Sequence, residues 1–547
     1  MPAPHGDRVQ LCATIGGVTT FRGAWSAAGL AAGAAGLATS YFAAMALTIR
    51  ESPVVAVAEL VIRLTPGPVA EYLISLVGKL DKPLLLLGIF VFLGIVFAWA
   101  GRLARRTWWA PAVVYAALAA IAAAAVMTQR GVAAIDVLPV AVGFVTWLVT
   151  LSLLTEPLRS AEARAALATA PTGVEHLMPE AEADPAADDV PVDTHTRRTF
   201  VVRTGILVAA SGVLGVLGRV VGRGRRHVEE VRNLLSLKQV TRPVVPDGVR
   251  LGVDGVTRWM TPADDFYRIH TAIVVPAIEP KDWSLRIHGM VERELTLTYD
   301  DLLDRQFTEA WVTLSCVSNE VGGNLIGNAW WSGVLLAPIL EEAGVLAGAD
   351  AVLQTSDDGW TCGTPLSALT DDRGAMLALA MNGRPLPIDH GFPVRTLVPG
   401  LFGYVSATKW VRDMEVTTFA DVSAYWTERG WSEQGPVKMS SRVDVPRSGE
   451  EVAAGEVVVG GVAWAQHTGI EAVEFSVDGG AWQAAELGVV PNEDTWVQWS
   501  GTAEVEPGDH RVRVRATDRN GTVQTDVEQG VLPDGATGLH VRDFTAG

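Results

Sequence analysis

The sequence predicts a multi-domain chain: an N-terminal α-helical membrane region, an α+β soluble domain, and a C-terminal β-sandwich. Three observations carry this. Nearly all the long apolar runs fall in the first 225 of 547 residues. From about 245 to 425, short strand patterns and Gly/Pro turns are mixed with amphipathic helices. From about 436 to 535, apolar and polar residues alternate with period two between frequent turns, as in a sandwich.

Hydrophobic residues make up 49% of the chain and charged ones 19%, consistent with a membrane part. Spans are expected at 25–48, 83–101, 108–128, 133–154 and 204–221, each near the ~20 residues a bilayer requires. The last is the shortest and is rich in Gly, Ala and Val. Residues 53–80 are apolar but interrupted by Glu59, Arg63, Pro66, Pro68 and Glu71, which predicts an interfacial or re-entrant helix pair. Arg102, Arg105 and Arg106 lie between the second and third spans, so that loop and the N-terminus should be cytoplasmic. Residues 156–196 then form a cytoplasmic linker with an acidic stretch, 179–189, expected to be disordered. Thr196-Arg-Arg-Thr-Phe precedes the fifth span and has the form of a twin-arginine export signal inside the chain. Arg219, Arg223, Arg225 and Arg226 would then lie outside, against the positive-inside rule, which a specialised export route tolerates. The net charge of -18 and the pI of about 5.0 argue against a nucleic-acid partner.

The three cysteines, Cys12, Cys316 and Cys362, form neither a disulfide framework nor a zinc pattern. Cys316 follows the apolar run Trp311-Val-Thr-Leu-Ser and precedes Val-Ser-Asn-Glu-Val-Gly-Gly-Asn. This reads as a strand end delivering a thiol into a turn. Alone, such a thiol is more often an inert buried cysteine than a metal ligand.

The longer run around Cys316 resembles the molybdenum-binding loop of the sulfite oxidase family, where the cysteine thiolate binds the metal. Further motifs follow the family's order. They are Asp264-Asp-Phe-Tyr-Arg-Ile-His270, Trp283 to Arg293, Asp358-Gly-Trp, Met381-Asn-Gly-Arg-Pro-Leu-Pro-Ile-Asp-His-Gly-Phe-Pro-Val-Arg395, and Lys409-Trp-Val-Arg. The resemblance covers roughly residues 245–535 and is to the membrane-anchored bacterial form, of actinobacterial type. It implies a sulfite-oxidase-type molybdopterin domain and a molybdenum-molybdopterin cofactor. By resemblance, Cys316 is the metal ligand and a catalytic residue, Arg268 a second catalytic residue, and the cofactor is held by Phe266, Tyr267, Arg268, His270, Cys316, Ser356, Asp358, His390, Arg395, Ala407, Thr408 and Lys409. Arg395 suits a phosphate bidentately and Lys409 as a point charge. His270 and His390 can hydrogen-bond pterin or phosphate, Tyr267 and Arg268 suit the pocket wall, and Asp358 or Ser356 corresponds to one further contact.

Two departures stand out. Glu320 occupies the place of an arginine that sulfite oxidases carry after the ligand cysteine, and Leu379 that of a pocket tyrosine. Both predict poor handling of sulfite itself. The run from 436 to 535 resembles the family's immunoglobulin-like dimerisation domain, which implies a homodimer, and Asp478-Gly479-Gly480 reads as a tight hairpin turn. No haem is evident, because the expected spans contain no histidine. The resemblance implies a membrane-anchored oxidoreductase acting outside the cytoplasm on a small substrate, with bilayer lipid around its spans and a separate electron-transfer partner. Sulfite oxidation and sulfoxide reduction compete within that class. A membrane-anchored scaffold retaining the fold without the metal is the non-enzymatic alternative.

Overall fold

The computed structural model describes residues 23–47, 49, 51–77, 80–129, 133–168, 194–221 and 224–547. Cys12 and the acidic stretch 179–189 lie outside them. The chain divides into two compact units, Met1–Leu60 with Leu80–Gly222 and Val61–Lys79 with Arg223–Gly547. In chain order the longer helices are α1 (Ala24–Ala46), α2 (Pro53–Leu64), α3 (Gly67–Val77), α4 (Asp81–Leu103), α5 (Trp109–Met127), α6 (Leu138–Ala168), α7 (Thr194–Val221) and α8 (Gly224–Leu234).

Five of these, α1, α4, α5, α6 and α7, are long and apolar enough to cross a membrane. At 23 residues, α1 and α4 each rise about 34 Å, against a hydrocarbon core of about 30 Å. With 12 and 11 residues, α2 and α3 rise only about 18 and 16 Å, so neither crosses alone. They break at Thr65-Pro66, because a residue before proline is pushed out of the helical region. The expected helix pair in 53–80 is therefore present. Close packing in the first unit rests on small residues: a Cβ on Gly29 would strike the Phe97 carbonyl, and one on Gly101 the Trp25 carbonyl, so α1 and α4 meet backbone to backbone. Phe97, Tyr115 and Trp147 fill the space beside this crossing, with ring centroids 5.4–6.0 Å apart.

Two boundaries differ from expectation. The linker expected from 156 begins only after Ala168, because the run Leu158-Arg-Ser-Ala-Glu-Ala-Arg-Ala-Ala-Leu-Ala continues α6 with strong helix formers past Pro157. Glu162 secures the extension, accepting from Trp25 Nε1 at 3.1 Å and pairing with Arg105 at 3.0 Å. Similarly, α7 begins at Thr194 and takes in the Arg-Arg pair expected to precede the span.

The second unit holds ten strands, β1 (Ser284–Gly289), β2 (Leu295–Thr298), β3 (Thr308–Ser315), β4 (Ile326–Leu335), β5 (Ala351–Ser356), β6 (Thr361–Pro365), β7 (Met376–Met381), β8 (Arg384–Pro385), β9 (Arg395–Leu397) and β10 (Val411–Thr417). They form two sheets, ordered β2-β1-β10-β5-β6 and β3-β4-β7-β8, with β9 also paired to β7. Only β1 and β10 run parallel. β7 is buried on both faces. Leu377 and Leu379 face a core with Trp283, Ile339 and Met414, while Met376, Ala378 and Met381 face another with Phe266, Trp331 and Phe392. The helices α9 (Tyr299–Leu303), α10 (Leu336–Ala343) and α11 (Leu366–Thr370) are short, and all three pack into the first of these cores.

Nine further strands follow: β11 (Ser440–Val445), β12 (Glu451–Val452), β13 (Gly455–Trp464), β14 (Ile470–Val477), β15 (Gln483–Ala484), β16 (Glu486–Leu487), β17 (Val497–Val505), β18 (Gly508–Asp518) and β19 (His540–Ala546). The sheets β11-β13-β17-β16 and β12-β19-β18-β14-β15 share one core containing Val459, Trp499, Phe475 and Val514, so they face each other as a sandwich. Asp478 and Gly479, at φ 51° and 72°, make the expected tight turn after β14.

A seam of tryptophans joins the sandwich to the mixed sheets: Trp259, Trp311, Trp464 and Trp496 pack together with Ile326 and Val462. Trp259 Nε1 donates to the Trp496 carbonyl at 3.2 Å, and Trp496 Nε1 to the Trp259 carbonyl at 2.8 Å. Trp496→Phe removes one of the two donors to the buried Trp259 carbonyl, Asn328 Nδ2 remaining at 3.1 Å, so the lost hydrogen bond costs about 1 kcal/mol. The expected result is a lower urea midpoint by tryptophan fluorescence, without loss of secondary structure.

Candidate cofactor site

β3 ends at Ser315 and hands Cys316 into a closed loop. Cys316 N donates to Leu325 O at 2.9 Å, Asn319 N to Cys316 O at 3.1 Å, and Leu325 N to Asn319 Oδ1 at 2.8 Å. Gly403 N donates to Ser315 O at 3.0 Å and brings the segment leading to Lys409 alongside. The thiol is buried, and burial pushes its pKa up. The N–H and hydroxyl of Ser318, the Lys409 charge and the Val317 N–H oppose that rise. The surroundings therefore favour negative charge on sulfur while the lack of water disfavours it.

Beside the thiol is a group of basic side chains. Arg395, at the start of β9, is 2% exposed. Its guanidinium reaches only carbonyls, those of Thr396 at 3.3 Å, His390 at 3.3 Å and Ala407 at 3.4 Å, and it lies 5.1 Å from the Trp331 ring centroid. No carboxylate among the described residues pairs with it, and burial lowers its pKa to about 10. Tyr267 is near enough to both Cys316 and Arg395 to feel their charges. Burial and the Cys316 charge raise its pKa, while Arg395 lowers it. His390 is buried and binds the Ala263 carbonyl through Nε2 at 2.9 Å. A carbonyl only accepts, so Nε2 carries the proton and Nδ1 keeps a lone pair, for which the described residues supply no partner. Burial, with the charges of Lys409, Arg395 and Arg268, lowers the His390 pKa to about 3.

The remaining sequence-predicted residues divide. Phe266 is buried, stacks on Tyr267 with centroids 5.2 Å apart, and packs edge-on to His390 at 5.7 Å. Lys409 Nζ donates to the Asp389 carbonyl at 3.0 Å and pairs across an isolated bridge with Arg395. His270 is half-buried, with Nδ1 3.0 Å from the Ala272 carbonyl and its ring 5.9 Å from Trp410. Arg268 is exposed at the rim and pairs with Asp389 at 3.2 Å. Ala407 contributes its carbonyl to Arg395. At the end of β5, the Ser356 hydroxyl is buried without a partner, whereas Asp358 turns back to accept from Trp360 N at 3.2 Å, so Ser356 is the better contact. The Thr408 hydroxyl lies beside the Cys362 thiol without a well-formed hydrogen bond. Ser318, Trp331 and Asp389 were not singled out from sequence. Ser318, two places after the thiol, and Asp389, inside the motif that carries His390, were the signals available.

The oxidoreductase molybdopterin-binding domain matches residues 272–426. Sulfite oxidase of Gallus gallus is 30% identical over 321 residues, covering 49% of this chain and 69% of that protein. This chain belongs to the sulfite oxidase family of molybdopterin-dependent oxidoreductases. Mitochondrial sulfite oxidase of Macaca fascicularis is 31% identical over 339 residues, 52% of this chain and 62% of that protein. The uncharacterized oxidoreductase YuiH of Bacillus subtilis is 31% identical over 167 residues, 30% of this chain and 81% of that protein. The chain therefore spans about 62% of the length of the Macaca protein. The residues present fit the family's molybdopterin. A buried guanidinium without a carboxylate suits a phosphate, and the unpartnered His390 Nδ1 and Ser356 Oγ suit a hydrogen-bonding pterin.

The two departures from the family pattern lie elsewhere. Leu379 is fully buried in the core on the face of β7 opposite Trp331. Glu320 is exposed and lines a small crevice with Asn319, Phe402, Lys438 and Trp464, which shares no residue with the basic cradle. Leu379 therefore does not reach the place for which the sequence suggested it, while Glu320 stays in the loop of Cys316, its crevice also lined by Ser315.

The depressed His390 pKa carries a pH dependence. Between pH 6.5 and about 3 the unfolded chain takes up a proton that the folded site refuses. The stability from the neutral ring is thus complete above pH 6.5 and lost as pH falls, by up to about 1.4 kcal/mol per unit. His390→Gln removes this contribution, so its thermal midpoint should fall less steeply than wild type between pH 6.5 and 4.5, measured on detergent-solubilised protein.

Proposed function

We propose that this chain is a membrane-anchored molybdenum-molybdopterin oxidoreductase that carries out two-electron oxo transfer on a small substrate outside the cytoplasm. One observation carries the reading: β3 delivers the buried Cys316 thiol beside a cationic cradle in which Arg395 has no carboxylate partner among the described residues. Cys316 would hold the metal, and Arg395 with Lys409 would hold the phosphate. His390 and Ser356 would hydrogen-bond the pterin, and Tyr267 with Phe266 would wall the site against water. Arg268 at the rim is placed to attract an anionic substrate. Bound there, the cofactor supplies two-electron oxygen-transfer chemistry.

Sulfite heads the substrate panel, since the relatives are named as sulfite oxidases and Leu379 is buried away from the cradle. Its oxidation adds the oxygen of water, giving sulfate, two protons and two electrons, which a separate carrier must accept. A sulfoxide such as oxidised methionine is the second candidate, with the electrons flowing the other way. The sandwich would serve as an immunoglobulin-like dimerisation domain.

The membrane topology has support within the second unit. Residues 61–79 follow the first candidate span, and Arg429 Nη2 donates to the Arg63 carbonyl at 2.6 Å, with Gly67 packed against the Arg429 backbone. Four candidate spans separate residues 61–79 from Arg429 in sequence. The number is even, so both stand on one side of a bilayer only if α7 crosses it as well. The basic loop at 102–106 then assigns that side as extracytoplasmic.

Cys316→Ser should abolish activity and lower molybdenum per chain severalfold, because a hydroxyl is a poor soft ligand. Cys362→Ser should keep most of its metal. Metal-replete, fully active Cys316→Ser protein would return the chain to the scaffold reading. Replacing Arg197 and Arg198 by Lys should leave the first four spans inserted and strand the catalytic part inside. Protease accessibility in spheroplasts checks this, and unchanged exposure would point to ordinary insertion.

A further inference from the structure

α8 follows α7 directly in sequence and packs onto the cofactor side of the second unit. Its Val228 is 2% exposed and sits in the core with Phe266, Trp331 and Phe392. Arg232 donates to the Pro385 carbonyl at 3.3 Å, and His227 pairs with Glu279 at 3.3 Å. Near its N-terminal end, Arg225 Nη2 reaches Asp389 Oδ1 at 2.7 Å.

Asp389 is a junction. Its second carboxylate oxygen takes Arg268 Nη1 at 3.2 Å, and its carbonyl takes Lys409 Nζ at 3.0 Å. The next residue, His390, offers the unpartnered Nδ1, and its carbonyl holds Arg395. One turn, Ile388–His390, thus touches every basic group of the cradle. It also carries the carboxylate that Arg268 binds.

We infer that Arg225 is a positioning residue of the cofactor site: it occupies one oxygen of Asp389 and so keeps Arg268 from being held bidentately and away from an incoming anion. A carboxylate shared between two guanidinium groups binds each through one oxygen, and its charge is neutralised. With Arg225 removed, Asp389 can close both oxygens on Arg268 and withdraw that guanidinium from an anionic ligand. This change opposes retention of a phosphate-bearing cofactor. Arg225 is 54% and Arg268 53% exposed, so the effect is that of a screened pair and should shrink with salt. This gives the segment that leaves α7 a part in holding the cofactor.

The inference rests on the cofactor reading above, and its test separates the two. Full-length wild type, Arg225→Gln, Arg225→Lys, Asp389→Asn and the Arg225→Gln/Asp389→Asn double variant are dialysed at two ionic strengths, and molybdenum and pterin per chain are followed over time. Wild type holding neither would overturn the cofactor reading and this inference with it. If wild type holds both, Arg225→Gln should release them about two- to fivefold faster at low salt, the range of an exposed ion pair. The loss should shrink at high salt, and Arg225→Lys should restore most of the retention. In the Asp389→Asn background, Arg225→Gln should have no further effect, because Arg225 acts through that carboxylate. Retention in Arg225→Gln equal to wild type would overturn the inference. So would an equal loss with and without Asp389, which is what a merely structural role for α8 would give.

Discussion

The site is organised around one uncomfortable group, a buried guanidinium that no carboxylate among the described residues neutralises. Removing a cation from water without an ionic partner is costly. Arg395 recovers part of that cost from three carbonyls at 3.3–3.4 Å and from the face of Trp331. These are long hydrogen bonds, weaker than a paired carboxylate would give. Its basic neighbours each answer the resulting repulsion differently. His390 stays neutral, Lys409 leans on a carbonyl, and Arg268 takes Asp389 at the rim. Only near the outside does a carboxylate appear. The interior is left for an anion that the chain itself does not supply.

The thiol depends on a second constraint. β3, which delivers Cys316, is the edge strand of its sheet, and an edge leaves backbone groups unpaired. The sandwich side satisfies them: Thr313 N donates to Asp494 O at 2.9 Å, Gln466 Nε2 to Thr313 O at 3.1 Å, and Asn492 Nδ2 to Trp311 O at 3.1 Å. Trp496 N also donates to Thr313 Oγ1 at 2.8 Å. The C-terminal domain therefore fixes the strand that aims the thiol, whatever else it does. A loose sandwich would loosen Cys316.

Legibility from sequence followed how local each cause was. The helix pair broken by Pro66, the Asp478-Gly479 turn and the strand end at Ser315 each depend on neighbouring residues, and each was readable. Arg395 and His390 were readable through a long ordered motif. The extension of α6 to Ala168 was readable in its helix formers, but Pro157 masked it. What could not be read was direction. Thr408 lies beside Cys362, Asp358 folds onto Trp360, and Ser356 keeps its hydroxyl free, all set by strand registers formed far apart in sequence. Ser318 and Asp389 share this reason, since their importance comes from what the fold brings to them.

Leu379 and Glu320 show how far a matched position can mislead. On β7 the register to β4 shifts beside Leu379, so Ala378 packs with Phe266 and Trp331 while Leu379 and Ala380 both join the core of Trp283 and Met414. A residue at a pocket position in a relative need not face the pocket here. For Glu320 the decisive quantity is the medium. A like charge at 4 Å costs about 4 kcal/mol at an effective dielectric of 20 but only about 1 kcal/mol in water. Glu320 is exposed in a crevice that also holds Lys438, so it lies near the lower limit and beside a cation.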